Sequence, residues 1–121
     1  MDQRAGKTCR VTTRNDIDRI FASGRRVRDR RVTLAGVPNG LARSRCAVGV
    51  SKRHGIAVRR NRIKRLCREA FRLSRGELAA GWDYMIMPRP GSQPTLADLR
   101  ESLVALARRL AERHEDRERE R

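Results

Sequence analysis

The feature that most constrains this chain is a helical pattern over residues 59–75 whose two faces differ in chemistry. Apolar residues recur there at the spacing of one helix face: Ile63, Leu66, Cys67, Ala70 and Phe71. This stripe predicts an amphipathic helix that packs against a core. The other face carries seven bases against the single acid Glu69: Arg59, Arg60, Arg62, Lys64, Arg65, Arg68 and Arg72. The fold must bury one face and leave the other available to solvent or to an anion.

The basic face has two interpretations, a solvated surface or a nucleic-acid contact. Cations in the first turns of a helix oppose its macrodipole and repel one another, and each such placement costs a few tenths of a kcal/mol. A nearby phosphate makes the same placement favourable, and it also accepts hydrogen bonds from the free N–H groups at the helix start. We therefore favour nucleic-acid contact. For Asn61, capping of the helix is an equally good alternative.

The distribution of charge supports a polyanionic partner. The chain has 30 Lys and Arg against 14 Asp and Glu, a net charge of +16, and 27 of the bases are Arg. Residues 1–75 hold 22 bases and 5 acids, whereas residues 76–121 hold 8 and 9. Such a charge indicates binding to a polyanion, and arginine favours bidentate phosphate contacts. No apolar run reaches the roughly 18 residues of a membrane span, so we expect a cytoplasmic protein with no membrane partner.

The remaining patterns predict two more helices and a small sheet. Thr13 and Asp16 have capping-box spacing, and the short helix that they start ends at Gly24. Thr95 and Asp98 start the last helix in the same way, and its leucines share one stripe. Apolar runs predict three strands, at 32–35, 46–50 and 82–87. The short run 56–58 is either a further strand or the lead into the basic helix.

The order of these elements, αββ(β)αβα, predicts a single α+β sandwich with helices packed on one sheet. Residues 1–10 are expected to be a flexible N-terminus, and 11–110 the RNA-binding domain. Residues 111–121 are expected to be a charged tail, either a fraying helix end or disordered. The basic run 25–31 is predicted to be a connector.

Catalytic and metal-binding motifs are missing from the sequence. It holds no phosphate-binding loop, no dinucleotide fingerprint and no zinc-protease motif, which leaves no expected catalytic residue and no small-molecule substrate. Its cysteines form no Cys-x-x-Cys pair, and we expect free thiols and no metal site: Cys9, Cys46 and Cys67. His54 follows Lys52 and Arg53 at a strand end, where the pair is expected to bind phosphate with His54 as a helper or a bystander.

The basic helix and the strand before it carry a recognisable signature. Residues 60–71 read RNRIKRLCREAF, and residues 47–53 read AVGVSKR. These runs, with the Phe21 to Gly24 end of the first helix, resemble the protein subunit of bacterial ribonuclease P in order and spacing. The resemblance covers the chain from about Val11 to Leu110.

The resemblance implies a ribonucleoprotein in which an RNA subunit, with Mg²⁺, removes the 5′ leader of precursor tRNA. The protein then binds RNA rather than cutting it, and the Mg²⁺ belongs to the RNA. The implied fold is a ribosomal-protein-like sandwich with the basic helix in a left-handed βαβ crossover. The expected partners are ribonuclease P RNA and precursor tRNA.

The resemblance also implies two binding surfaces. The residues expected to bind the RNA subunit are Arg59, Arg60, Asn61, Arg62, Lys64, Arg65 and Arg68, together with Lys52 and Arg53. A separate cleft between the first helix and the sheet is expected to hold the single-stranded leader. Phe21 is its remaining aromatic, because Ile17 and Ala35 stand where the family usually has an aromatic on the helix and a Tyr on the strand. We therefore expect weaker stacking of leader bases.

Two other classes of protein share this composition. A basic ribosomal protein, or another binder of structured RNA, has the same charge without an attached enzyme. A DNA-binding module could place the basic helix in a major groove, but no compact helix-turn-helix precedes residue 59. The signature runs favour the ribonuclease P resemblance over both.

Overall fold

Three helices and four strands make up residues 9–120, the part of the chain that the computed structural model describes. In chain order they are α1 Arg14–Ser23, β1 Arg25–Arg28, β2 Val32–Pro38, β3 Arg45–Val48, α2 Ala57–Ser74, β4 Trp82–Pro88 and α3 Leu96–Arg119. Short 3-10 turns occur at Lys52–His54 and Arg75–Glu77. Of the N-terminus predicted to be flexible, 1–10, residues 1–8 lie outside the described residues, as does the last tail residue, 121. Residues 9 and 10 instead pack against the sheet, because Cys9 is buried and Arg10 forms a parallel bridge with Cys46. Within residues 9–120, no helix is long and apolar enough to cross a membrane.

The four strands form one mixed sheet in the order β1-β2-β4-β3. β1 and β4 each pair with β2 in antiparallel fashion, whereas β3 pairs with β4 in parallel. A parallel pair needs a crossover connection, and α2 supplies it between β3 and β4. The predicted α+β class is confirmed.

Alternation along the strands divides the apolar residues between two faces of the sheet. On one face, Leu34, Tyr84 and Ile86 pack with α2 and α3 in the main core. On the other, α1 covers a smaller cluster centred on Ala35 and Met85. The apolar stripe of α2 points into the main core, as its spacing predicted. The basic face of α2 is therefore directed away from the sheet.

Helix boundaries follow the predicted caps. The Thr13 hydroxyl accepts a hydrogen bond from the Asp16 amide at 3.2 Å, and α1 ends at Gly24. At α3, Thr95 and Asp98 form a reciprocal capping box. Both caps are local in sequence, which is why spacing alone predicted them.

One sequence prediction, the connector at 25–31, is wrong in part, and the open choice at 56–58 is decided in favour of the lead into the basic helix. Residues 25–28, predicted as part of a connector, form β1, which escaped detection because Val27 is its single buried residue. Residues 57 and 58 begin α2 and form no strand, and Ile56 and Val58 remain 72% and 66% exposed. The observed order is αβββαβα, with the extra strand before β2 rather than after β3.

The charged C-terminal segment is helical through Arg119 as a continuation of α3. His114 lies edge-on to the ring of Trp82, with 5.5 Å between centroids. This contact attaches the first turn of the segment to the main core.

Candidate nucleic-acid interface

The start of α2 concentrates positive charge without compensation. Its N-cap residue, Ile56, makes no side-chain cap hydrogen bond, and the first turn contains no acid. The first amides of the helix therefore have no side-chain acceptor, although the positive end of the macrodipole attracts anions. Asn61 lies exposed in the second turn, so the capping interpretation of this residue is wrong.

The six predicted bases of α2 differ in exposure along the helix. Arg59, Arg62 and Arg65 are exposed, and Arg60, Lys64 and Arg68 are half-buried. Within residues 9–120, none of the six side chains pairs with an acid, and Arg60 Nε is buried without a hydrogen-bond partner. The seventh base, Arg72, instead holds Glu69 through two hydrogen bonds of 2.7 and 2.9 Å, which lower the pKa of that carboxyl. Six uncompensated cations on one helix form a surface suited to phosphates.

A groove of about 450 Å³ runs between the start of α2 and the loop before α3. Its rim carries Arg53, Arg59 and Arg62, and its apolar wall includes Ile63 and Leu66. Lys52 and Arg53 are both exposed in the turn that follows β3. Of the two strand-exit bases, Arg53 thus lines the same groove as the helix bases Arg59 and Arg62, whereas Lys52 does not line it.

His54 has a structural role that the sequence did not indicate. The ring is 8% exposed, and its Nε2 lies 2.8 Å from the carbonyl oxygen of Pro88 and its Nδ1 3.2 Å from that of Ser51. Because both ring nitrogens face backbone carbonyls, His54 joins the end of β4 to the turn that carries Lys52 and Arg53. It positions those bases rather than offering a free nitrogen to phosphate.

A second groove, of about 590 Å³, lies between α1 and the C-terminal ends of β3 and β4. Phe21, 41% exposed, forms one wall, and Met85 and Met87 contribute to the floor. Arg53 lines this groove as well as the first one. Neither methionine was among the predicted cleft residues, although alternation within β4 places residues 83, 85 and 87 on one face.

The other two predicted cleft residues are less accessible than Phe21. Ile17 is half-buried and packs against the cluster under α1. Ala35 is 0% exposed within that cluster, together with Ile20 and Met85. Of the three predicted leader contacts, Phe21 is therefore the one with a large exposed surface.

An ionic network fixes α1 against the sheet. The carboxylate of Asp83, which is 0% exposed, accepts hydrogen bonds from Arg45 at 2.7 and 2.8 Å, Arg19 at 2.8 Å and Asn39 at 2.9 Å. Burial acts to raise the pKa of Asp83, but the hydrogen bonds from Arg45 and Asn39 and the nearby charges hold it below the usual value. Through Arg19, the network determines where α1, and with it Phe21, lies above the sheet.

The cysteines contribute to packing. Cys46 and Cys67 are buried free thiols in the main core, and burial raises the pKa of each to about 12. Cys9 is also buried, where Arg75 contacts its Sγ. Across residues 9–120 there is no cluster of three His, Cys, Asp or Glu side chains that could hold a metal ion.

Known proteins share both the sequence pattern and the architecture of this chain. The sequence model of a family described as Ribonuclease P matches residues 6–111. The chain belongs to the ribonuclease P protein family. A ribonuclease P protein component from Roseiflexus castenholzii is 39% identical over 105 residues, which cover 86% of this chain and 84% of that protein. One from Caldanaerobacter subterraneus subsp. tengcongensis is 35% identical over 83 residues, covering 69% and 72%.

Solved ribonuclease P proteins share the fold. The one from Thermotoga maritima aligns with a TM-score of 0.74 at 30% identity, covering 83% of this chain and 96% of that one. The one from Staphylococcus aureus aligns with a TM-score of 0.71 at 29% identity, covering 84% and 94%. These ribonuclease P relationships confirm the resemblance found in the sequence. They make this chain a subunit of the tRNA 5′-processing ribonucleoprotein, an endoribonuclease complex.

Proposed function

We propose that the basic face of α2 binds the RNA subunit of ribonuclease P, and that the groove beside Phe21 binds the 5′ leader of precursor tRNA. In this assignment the RNA subunit binds Mg²⁺ and performs the cleavage, and the protein contributes binding. The observation that carries the proposal is the uncompensated charge at the start of α2. Because its partners are newly made transcripts, we assign the protein to the bacterial cytoplasm.

The charge pattern of α2 supports the RNA-subunit contact. An isolated helix gains stability from acids in its first turn, yet α2 has bases at Arg59 and Arg60 and no acid there. Phosphates would accept from the guanidinium groups and from the free amides at the helix start. Each neutralised phosphate also releases a counterion, which makes the affinity strongly dependent on salt. Asn61 and Lys64, on the same face, would add hydrogen bonds to the same strand.

Several features of the second groove support leader binding. Phe21 offers an exposed ring on which an unpaired base can stack, and stacking of one base on an aromatic is worth about 1–3 kcal/mol. Met87, which is half-buried, gives the floor a polarizable apolar surface. Arg53 connects this groove to the basic face of α2, so one RNA assembly can engage both surfaces.

The two surfaces together explain how a non-catalytic protein assists cleavage. The bases of α2 replace part of the counterions that two folded RNAs need when they approach each other, which lowers the requirement for Mg²⁺. The leader groove stabilises the substrate complex but not the product, because mature tRNA has lost its leader. The protein thus favours precursor binding and product release at once.

Reconstitution tests the proposal. The purified protein is added to ribonuclease P RNA at low Mg²⁺, and 5′ cleavage of precursor tRNA is measured with and without protein. We expect cleavage with protein and little without it, and tighter binding of precursor than of mature tRNA. Nuclease activity of the protein freed of RNA, or an unchanged rate with RNA alone and with protein, would contradict the proposal.

A further inference from the structure

The face of the sheet that carries the leader groove continues past it to the edge strand β1. Residues paired across strands point to the same side, and the register aligns Met87 of β4 with Thr33 of β2, and Thr33 with Arg28 of β1. One row of side chains therefore runs from the floor of the groove to an arginine at the edge of the sheet. The distance from β4 to β1 is two strand spacings, about 10 Å.

This row is open, whereas the neighbouring row is covered. In the neighbouring row, Ala35 and Met85 lie under α1 and are 0% and 4% exposed. In the open row, Thr33 and Met87 are half-buried and Arg28 is exposed. A chain entering the groove beside Phe21 thus has an uncovered path across the sheet.

Two arginines of β1 stand along that path. Arg26 pairs with Ala35 and Arg28 with Thr33, which places both side chains on the α1 face. The guanidinium of Arg26 lies 5.2 Å from the centroid of the Phe21 ring, so the aromatic wall passes directly into the arginines. Within the described part of the chain, neither side chain has a hydrogen-bond partner or an ion pair, and both charges are available to an anion.

An edge strand can carry arginine for another reason, since exposed charges prevent edge-to-edge pairing with a second sheet. That role is indifferent to which face an arginine occupies. Arg25 provides the comparison, because it belongs to the same strand but pairs with Gly36, on the face that packs against Trp82 and Leu110. A role in edge protection predicts similar behaviour for the arginines on both faces.

We propose that Arg26 and Arg28 bind phosphates of the leader nucleotides that extend beyond Phe21, as a second contact on the same single-stranded RNA. The inference rests on the leader groove proposed above and extends it across the sheet. Phosphate contacts carry no base information, so this extension responds to leader length and not to leader sequence. The two arginines would also add electrostatic attraction for the leader beside a groove in which Phe21 is present but positions 17 and 35 carry no aromatic ring.

The test uses the holoenzyme reconstituted with ribonuclease P RNA and measures affinity for three ligands. These are precursor tRNA with a leader of about two nucleotides, the same precursor with about eight, which matches the size of common single-strand sites, and mature tRNA. The variants are the double substitution Arg26→Gln/Arg28→Gln, the control Arg25→Gln and Phe21→Ala. Because all three arginines are exposed, the variants should fold, which circular dichroism checks.

We expect the double variant to weaken binding of the long-leader precursor and to reduce its salt slope by about 1.4, or about 0.7 for each lost phosphate contact. Binding of the short-leader precursor and of mature tRNA should stay at the parental value. Arg25→Gln should match the parent with all three ligands. A loss with Arg25→Gln that is about half that of the double variant, and so equal for each arginine removed, would overturn the proposal in favour of general charge or edge protection.

Other outcomes separate this inference from the function on which it rests. A loss that is the same for mature tRNA and for both precursors would overturn the proposal, because it places the arginines on the RNA subunit or on the body of tRNA. If Phe21→Ala weakens precursor binding while the double variant does not, the leader groove stands and the extension fails. If neither changes precursor binding, both assignments fail.

Discussion

Helices α2 and α3 pack side by side on the same face of the sheet, yet their charges are arranged in opposite ways. α2 has seven bases and one acid, no side-chain cap and no acid in its first turn. α3 has six of each sign, a complete capping box, Asp98 in its first turn and arginines in its last. α3 follows every rule that stabilises a helix by itself, whereas α2 breaks the same rules at its start.

The difference teaches where function constrains the sequence. Local rules of helix stability are broken mainly where a functional requirement competes with them. The apolar stripes of the two helices are equally regular and meet in one core, so packing does not account for the contrast. The anion binding that we propose at the start of α2 would account for it.

The largest expected effect comes from removing charge from each helix in turn. Replacing Arg60, Arg62, Arg65 and Arg68 by Ala should reduce the salt slope for ribonuclease P RNA by about 4, about 1 for each lost phosphate contact. The matched control removes four exposed arginines of α3: Arg108, Arg113, Arg117 and Arg119. It should leave the slope unchanged, and equal slopes for the two variants would show that only total charge matters.

A smaller effect is expected from giving α2 the cap that α3 has. Ile56 is 72% exposed, so its replacement disturbs no core. Ile56→Asp should stabilise the RNA-free protein by about 1 kcal/mol through capping and the macrodipole, and should weaken binding of ribonuclease P RNA. Ile56→Asn adds a cap without a charge and should weaken RNA binding less. Unfolding by urea and RNA titration measure the two quantities, and unchanged RNA affinity in both variants would argue against a phosphate at the helix start.

Removing the cap of α3 should change the stability of the protein but not its binding of RNA. Thr95→Ala removes half of the capping box and should cost about 1 kcal/mol in the free energy of unfolding. Thr95→Ser keeps the hydroxyl and should retain most of that stability. Neither variant should change affinity for ribonuclease P RNA at any salt concentration. A change in the salt slope for Thr95→Ala would mean that α3 also contacts RNA.

The smallest effect concerns how the free energy of unfolding falls as the solution becomes acidic. Hydrogen bonds from the Thr95 backbone and side chain lower the pKa of Asp98 in the folded protein, since they favour the carboxylate. A depressed folded pKa gives stability that is fully present above the unfolded value, about 3.9, and is lost as pH falls through the folded pKa. Asp98→Asn should therefore flatten the loss of stability below about pH 4. Thermal unfolding of the parent and of Asp98→Asn across that pH range checks this. If both lose stability equally below about pH 4, the Asp98 carboxylate does not stabilise α3 as we expect.

Much of the fold could be predicted because its signals are local. Thr13 and Thr95 fixed two helix starts, and the stripe from Ile63 to Phe71 identified the buried side of α2. β1 could not be predicted in this way, because an edge strand with Val27 as its one buried residue has no detectable alternation. Asn61 was ambiguous for a related reason, since its value as a cap depends on where the helix begins.

The sequence by itself determined which residue types this protein offers to RNA and which family it resembles, because charge pattern, caps and apolar period are properties of neighbouring residues. Only the tertiary structure decided which of them meet. It buried Ala35 beneath α1, placed Arg26 over Phe21, and turned His54 towards the carbonyl of Pro88. The physical reason is that such contacts depend on strand register and on packing across the sheet, which join residues far apart in the chain and leave no periodic trace in it.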